Sequence, residues 1–223
     1  MRDSLSPGTW ARARRCLALL RRNQANECSA IGQLRSRLGG LLGDIVDSQP
    51  VYVGQPFANY QEHNYSGFKA TVRTPMLYVG ANDGMLHAFY ASVDLLDVNH
   101  GQEAWAVIPS ALLSNLYKLA DDNYKRDGHQ FYVDGTPVAG DVWNGTEWRT
   151  IVVGGLNAGG KGYYALDVTI PGATPTPLWE FKQVSATCPA PAPAAMPGTV
   201  FTDCNLGRTF GNQARPKMAR DRG

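Results

Sequence analysis

Short runs of apolar side chains separated by glycine and asparagine turns recur along most of this chain. The pattern predicts β-hairpins. The clearest is MLYVGANDGMLHAFYA at 76–91. Met76 to Val79 is an apolar, β-prone run, Asn82-Asp83-Gly84 is a tight turn, and Met85 to Tyr90 is the return strand. Asn, Asp and Gly accept the positive φ angles that a short hairpin loop demands. A second hairpin lies in WNGTEWRTIVVG, where Asn144-Gly145 separates a strand over 138–143 from one over 147–153.

The remaining elements follow from the same reading. Residues 43–54 predict a short strand, a turn at Asp47–Pro50 and a strand at Val51–Val53, and residues 55–70 and 92–102 predict surface connections. EAWAVIP is a strand stopped by Pro109. Behind it Leu112, Leu113, Leu116 and Leu119 keep helical spacing with Ser110 as N-cap, so one short helix is expected near 111–120, its leucines a packing face. FYVDGTPVAGDVW holds the turn Asp134-Gly135, and LNAGGKGYYALDVT and LWEF supply the last strands. From Lys182 onward the chain changes character: ATCPAPAPAAMPG is a Pro/Ala-rich loop with a polyproline tendency.

PVYVG at 50–54, MLYVG at 76–80 and TIVVGG at 150–155 end alike, and the last two continue into a glycine turn and an aromatic return strand. Such units suggest blades of a β-propeller, about 40 residues each. The expected fold is mainly β: a partial propeller of about three blades over 41–182. Residues 1–40 form an Arg-rich lead-in, poorly ordered or the remnant of an upstream region. Residues 183–223 hold the Pro/Ala loop and the truncated start of a further blade.

Charge changes the picture little. Residues 1–40 hold eight Arg against Asp3 and Glu27, so the net charge of +2 hides a basic lead-in on a mildly acidic body. That balance argues against a general nucleic-acid binder. The run Cys16–Leu20 is shorter than the apolar core of about 7–15 residues of a signal peptide. No run approaches the roughly 20 residues of a membrane span.

Candidate chemistry is sparse. Asp83, Asp134 and Asp141 read as turn residues whose carboxylates cap backbone N–H groups. His87 reads as a packing histidine within a strand, while His63, His100 and His129 are scattered. Asp121 and Asn123 fit the first ligand positions of an EF-type loop, but Lys125 and Arg126 break it. GLNAGGKG lacks the phosphate-loop pattern, because Lys161 precedes Gly162 and a strand follows. Lys125-Arg126-Asp127-Gly128 has the wrong order for an Arg-Gly-Asp recognition loop. Cys188 and Cys204 enclose fifteen residues. A disulfide there would be worth about 3 kcal/mol; it would form in an exported protein and not in a cytosol.

Four blocks, LGDIVDSQPVYVG, RTPMLYVGANDGMLHAFYA, FYVDGTPVAGDV and WRTIVVGGLNAGGKGYYALDVT, stand in the order found in the C-terminal propeller of PilC/PilY-type proteins. The chain resembles that family over 34–182 and again at LGRTFG. The resemblance implies a non-enzymatic factor of type IV pilus assembly and adhesion, supporting twitching motility at the cell surface, periplasm or outer membrane. Its expected partners are pilus subunits or minor pilins and a host surface. The family's calcium loop belongs to a blade after LGRTFG and is expected to lie beyond Gly223, so no cofactor or metal is expected in this span. RPKMARDRG does not resemble that blade, and the chain reads as a fragment. The candidate contact loops are 57–68 and 121–130. The alternative is a quinoprotein dehydrogenase propeller with pyrroloquinoline quinone and calcium. Such enzymes usually carry a vicinal Cys-Cys pair, whereas the cysteines here stand at 16, 28, 188 and 204.

Overall fold

The computed structural model describes residues 35, 42–121, 123–124, 128–183, 198–202 and 206–210. The chain runs first through β1 (Val51–Val53), α1 (Tyr65–Lys69), β2 (Met76–Ala81), β3 (Met85–Tyr90) and β4 (Glu103–Val107). A 3-10 turn (Ser110–Leu112) and α2 (Tyr117–Ala120) lead into β5 (Val138–Trp143) and β6 (Trp148–Gly155). A second 3-10 turn (Asn157–Gly159) precedes β7 (Gly162–Asp167), β8 (Thr176–Lys182) and β9 (Thr199–Thr202). The strands form two sheets, ordered β1-β2-β3-β4 and β5-β6-β7-β8-β9. Every pairing is antiparallel except β8 with β9, which is parallel.

The two sheets are copies of one blade, and a shared irregularity fixes the alignment. In the first, Ala88 faces Trp105 and the register then slips, so that Phe89 faces Glu103. In the second, Ala165 faces Trp179 and the same slip puts Leu166 opposite Pro177. One extra residue on the outer strand, Ala104 or Leu178, is a β-bulge that bends and twists the blade. Counting from it, Tyr78 matches Val153, Gly80 matches Gly155, and His87 matches Tyr164.

The expectation of about three blades is corrected to two among the described residues. PVYVG does not open a blade of its own: Val51 pairs with Tyr78 and Val53 with Met76, so it is the inner strand of the blade that MLYVG continues. Residues 43–46 form no strand. They dock on the first hairpin, with Asn82 N–H donating to the Asp44 carbonyl at 2.9 Å.

The helix expected near 111–120 is split. Around the short α2 turn its bonds include many from residue i to i−3, for instance Leu112 N–H to Pro109, Asn115 to Leu112 and Leu119 to Leu116. That winding is tighter than an α-helix and rarely lasts. Ser110 does not cap it; its N–H and hydroxyl both bind the Glu180 carboxylate. The leucine stripe nevertheless packs as expected. Leu112, Leu116 and Leu119 are buried in one core with Met76, Tyr78, Leu86, Val152 and Tyr164, while Leu113 is exposed. Gly84, at φ 92°, allows this seat, since a Cβ there would stand 2.5 Å from Leu116 Cδ2.

Strand directions sort the loops onto two rims. The β1–β2, β3–β4, β5–β6 and β7–β8 loops share one rim, and the hairpin turns 82–84 and 156–161 share the other with residues 108–121 and 128–137. On the second rim backbones approach closely. A Cβ on Gly159 would lie 1.8 Å from the Tyr132 carbonyl oxygen. Gly159→Ala must therefore push these backbone segments apart, an overpacking cost of about 3 kcal/mol. Gly207→Ala, with nothing within 4 Å, should be silent. Denaturant midpoints of the two variants check this, and equal midpoints would refute it.

Candidate functional site

The seam between the blades is tied by a polar knot on the first rim. Arg73, from the β1–β2 loop, donates Nε–H to the Gly54 carbonyl at 2.7 Å and an Nη1–H to Thr150 Oγ1 at 2.6 Å. Its Nη2 stands 4.0 Å from Asp141 Oδ1. Asp141 accepts the hydroxyls of Tyr65 and Thr150, each at 2.6 Å. The Arg73 and Asp141 side chains are only 8% and 9% exposed. Burial lowers the Arg73 pKa, and the Asp141 charge opposes that shift. Burial, then the bond to Asp141, pushes the Tyr65 hydroxyl up.

This corrects one expectation. Asp141 is no turn cap; it lies within β5 and holds the first blade to the second. The 55–70 stretch is exposed over most of its length, as expected of a surface connection, but it is anchored at its centre. Tyr65 is buried, Tyr60 stacks on Trp148 at 5.1 Å, His63 stacks on Trp143 at 4.4 Å, and the Trp148 indole N–H donates to the His63 carbonyl. Of the proposed contact loop 57–68, Phe57 and most of its neighbours are exposed, while Tyr65 is buried as an anchor. Aromatics at 60, 63, 65 and 68 facing Trp143 and Trp148 were the available signal. Beside the knot lies a groove of about 400 Å³, lined by β1, β5, Phe57 and Tyr60.

A second cluster lies under the first hairpin. His87, fully buried, has Nδ1 2.5 Å from Glu103 Oε1 and Nε2 3.0 Å from Asp83 Oδ1. Both ring nitrogens face carboxylates, and an imidazolium, with hydrogen on each nitrogen, satisfies both. Burial pushes its pKa down, but the hydrogen bonds and charges of Asp83 and Glu103 outweigh that, and the net shift is upward. Asp83 does cap, as expected: it accepts the N–H groups of Met85 and Gly43. The packing-histidine reading missed the charge, because Glu103 is sixteen residues away in sequence.

Among the described residues no three His, Cys, Asp or Glu side chains gather to hold a metal. Asp121 Oδ1 instead accepts the Asn123 backbone N–H. No described helix is long and apolar enough to cross a membrane. The geometry offers directed hydrogen bonds, a shallow groove and an apolar rim. Val93, Leu95, Leu96 and Val98 are each at least 80% exposed, with Phe57, Val72 and Ile170 on the same rim.

A family model, the PilY1 beta-propeller domain, matches residues 42–220. The chain belongs to that family. It is 44% identical over 162 residues to the type IV pilus biogenesis factor PilY1 homolog of Xylella fastidiosa, covering 68% of this chain and 12% of the relative. It is 43% identical over 175 residues to the type IV pilus biogenesis factor PilY1 of Pseudomonas aeruginosa strain PAK, covering 74% of this chain and 14% of the relative. The chain thus spans about an eighth of the length of these relatives. A crystal structure of the Pseudomonas aeruginosa PilY1 C-terminal domain is 35% identical, with a TM-score of 0.39 over 60% of this chain and 25% of that one.

The other turn residues are structural supports of this PilY1-type propeller. Asn82 accepts the Tyr132 N–H and donates to the Asp44 carboxylate, tying 44 and 132 to the hairpin. Asp134 accepts the Asp47 N–H; burial pushes its carboxyl up against that bond. Gly135 is a bend in which a Cβ would lie 2.2 Å from the Gly155 carbonyl oxygen. Asn144 caps Thr146 and Glu147, and Gly145 has φ 102°. Thr209, in LGRTFG, is a residue the sequence reading missed. Its hydroxyl accepts the Leu156 N–H and donates to the Gly162 carbonyl, closing the β6–β7 turn. Cys188, Cys204 and Gly223 lie outside the described residues. The disulfide expected between the two cysteines and the calcium loop expected beyond Gly223 therefore lie outside them as well.

Both clusters can be tested by unfolding. Asp141→Ala strands the buried Arg73 charge and should cost about 3 kcal/mol. Tyr65→Phe loses one hydrogen bond and should cost about 1 kcal/mol. Equal losses in urea titrations would contradict the knot. His87→Phe leaves two carboxylates facing each other and should also cost about 3 kcal/mol. Because the folded imidazolium pKa is raised, its contribution is complete below the ordinary value near 6.5. It disappears as pH rises through the folded value. The stability gap between the parent and His87→Phe should therefore shrink toward alkaline pH, and a gap constant across pH would exclude the imidazolium.

Proposed function

We propose that this chain is the propeller portion of a type IV pilus biogenesis factor, acting by contact with pilus subunits or minor pilins rather than by catalysis. The reading extends to pilus extension, surface attachment and twitching motility, and to a location at the cell surface or pilus. What carries it is the 43% identity over 175 residues to a protein named for that process. The physical character of the molecule agrees with it. Its buried charges are consumed in holding the two blades together at Arg73 and Asp141 and in bracing the first blade at His87. Val93, Leu95, Leu96 and Val98 are exposed together on one loop of one rim, where apolar side chains suit a protein partner.

The rim is the part to alter. Deletion of the whole gene in its own organism should abolish surface pili, measured as sheared pilin, and the full gene should restore them. The gene with Leu95→Asp and Leu96→Asp should yield a stable protein but fewer pili, since both side chains are exposed and their loss leaves the fold intact. Normal piliation in the deletion strain would overturn the reading.

A further inference from the structure

The outer strand of one blade is covered, and over Trp105–Val107 its counterpart has no further strand beside it among the described residues. β9 runs along β8 in parallel register, from Trp179 opposite Thr199 to Lys182 opposite Thr202. It is entered through Gly198, at φ 79°, whose N–H donates to the Leu178 carbonyl at 2.7 Å. The shared bulge equates Trp179 with Trp105, and so Glu180, Phe181 and Lys182 with Ala106, Val107 and Ile108. The first sheet ends at β4. An unpaired edge presents a row of backbone N–H and C=O groups to any extended chain beside it. Added strands gain affinity from these bonds and specificity from alternate side chains.

We propose that the outer edge of β4 over residues 105–107, with Ile108 just after it, is a strand-acceptor site for an extended β-branched or aromatic segment of a partner protein, laid parallel to β4 as β9 lies on β8. The segment of this chain that takes the equivalent edge reads TVFT, residue types that favour a half-buried strand. The loop leading into β4 adds a second contact. A strand laid on β4 in this register has its N-terminal end beside Trp105, so the residues before it run toward the loop that enters β4 and bears Val93, Leu95, Leu96 and Val98.

That loop is held in shape. Asp94 accepts the Leu96 N–H, Asp97 accepts the Asn99 N–H, and the Gln102 side chain donates to the Val98 carbonyl. The partner segment therefore carries apolar residues just before its strand. A second copy of this chain is disfavoured, because two-fold symmetry across a β4 edge gives antiparallel pairing.

Hydrogen–deuterium exchange on the whole chain tests the site, with a synthetic peptide of residues 198–203, GTVFTD, as the probe. Adding it should produce a saturable loss of deuterium uptake over 103–108, with β2 and β6 unchanged. The same peptide with Val200→Pro and Phe201→Pro should have no effect. Unchanged uptake at 103–108, or altered uptake only over 176–182, where the peptide would exchange with β9, overturns the proposal. Concentration-dependent protection of 103–108 without peptide also overturns it, since β4 would then pair with its own copy. Peptide binding is scored in vitro, so it stands or falls separately from surface piliation.

Discussion

Arg73 keeps a guanidinium charge in the seam between two sheets, and the arrangement around it sets how those sheets meet. Taking such a charge out of water costs several kcal/mol unless partners replace the solvent. The partners come from both sides. Gly54 and Tyr65 belong to the first blade and its loop, and Asp141 and Thr150 belong to the second. Apolar contact alone is non-directional, so two apolar faces can slide over one another. Hydrogen bonds of 2.6–2.7 Å to a planar guanidinium and a carboxylate allow little sliding. The aromatic clamp of Tyr60, Tyr65 and Trp148 packs beside the knot and reduces its exposure, which strengthens each bond in it.

The opposite rim is locked by a different means. There the Asn82 side chain, the bare Cα of Gly159 and the Thr209 hydroxyl bring backbone segments into direct contact. His87 braces the blade between the rims by linking the hairpin turn to the outer strand through Asp83 and Glu103. In the second blade the matching position is Tyr164, whose ring lies over Gly154. One blade thus fills the site with charge and the other with ring area. That difference explains why Val79 in the first blade is glycine in the second: the larger ring needs the space.

Local signals in the sequence were faithful. The hairpin turns at Asn82-Asp83-Gly84 and Asn144-Gly145, the strands around them and the buried leucines at 112, 116 and 119 all stand where residue chemistry puts them. Non-local partners were not legible. Asp141 lies 76 residues from Tyr65, and nothing in either neighbourhood announces the other. The same holds for His87 with Glu103, and for Ser110, whose hydroxyl goes to Glu180 instead of a helix terminus. A polar side chain in a strand looks like a solvent-facing residue until its counterpart on another blade is known.

The blade count failed for a related reason. MLYVG and TIVVGG begin 74 residues apart, nearly two propeller units, and a whole blade was inferred between them. The intervening described residues 108–121 and 128–137 instead lie on one rim; the first of these segments is tightly wound and its leucines enter the common core, and in the second Tyr132 and Val133 are buried. A connection that packs inward consumes sequence without adding a sheet, so spacing between repeats bounds the number of blades only from above. The bulge is the better ruler. It depends on how the outer strand must bend around its blade, and it recurs at Trp105 and Trp179 whatever length of chain lies between them.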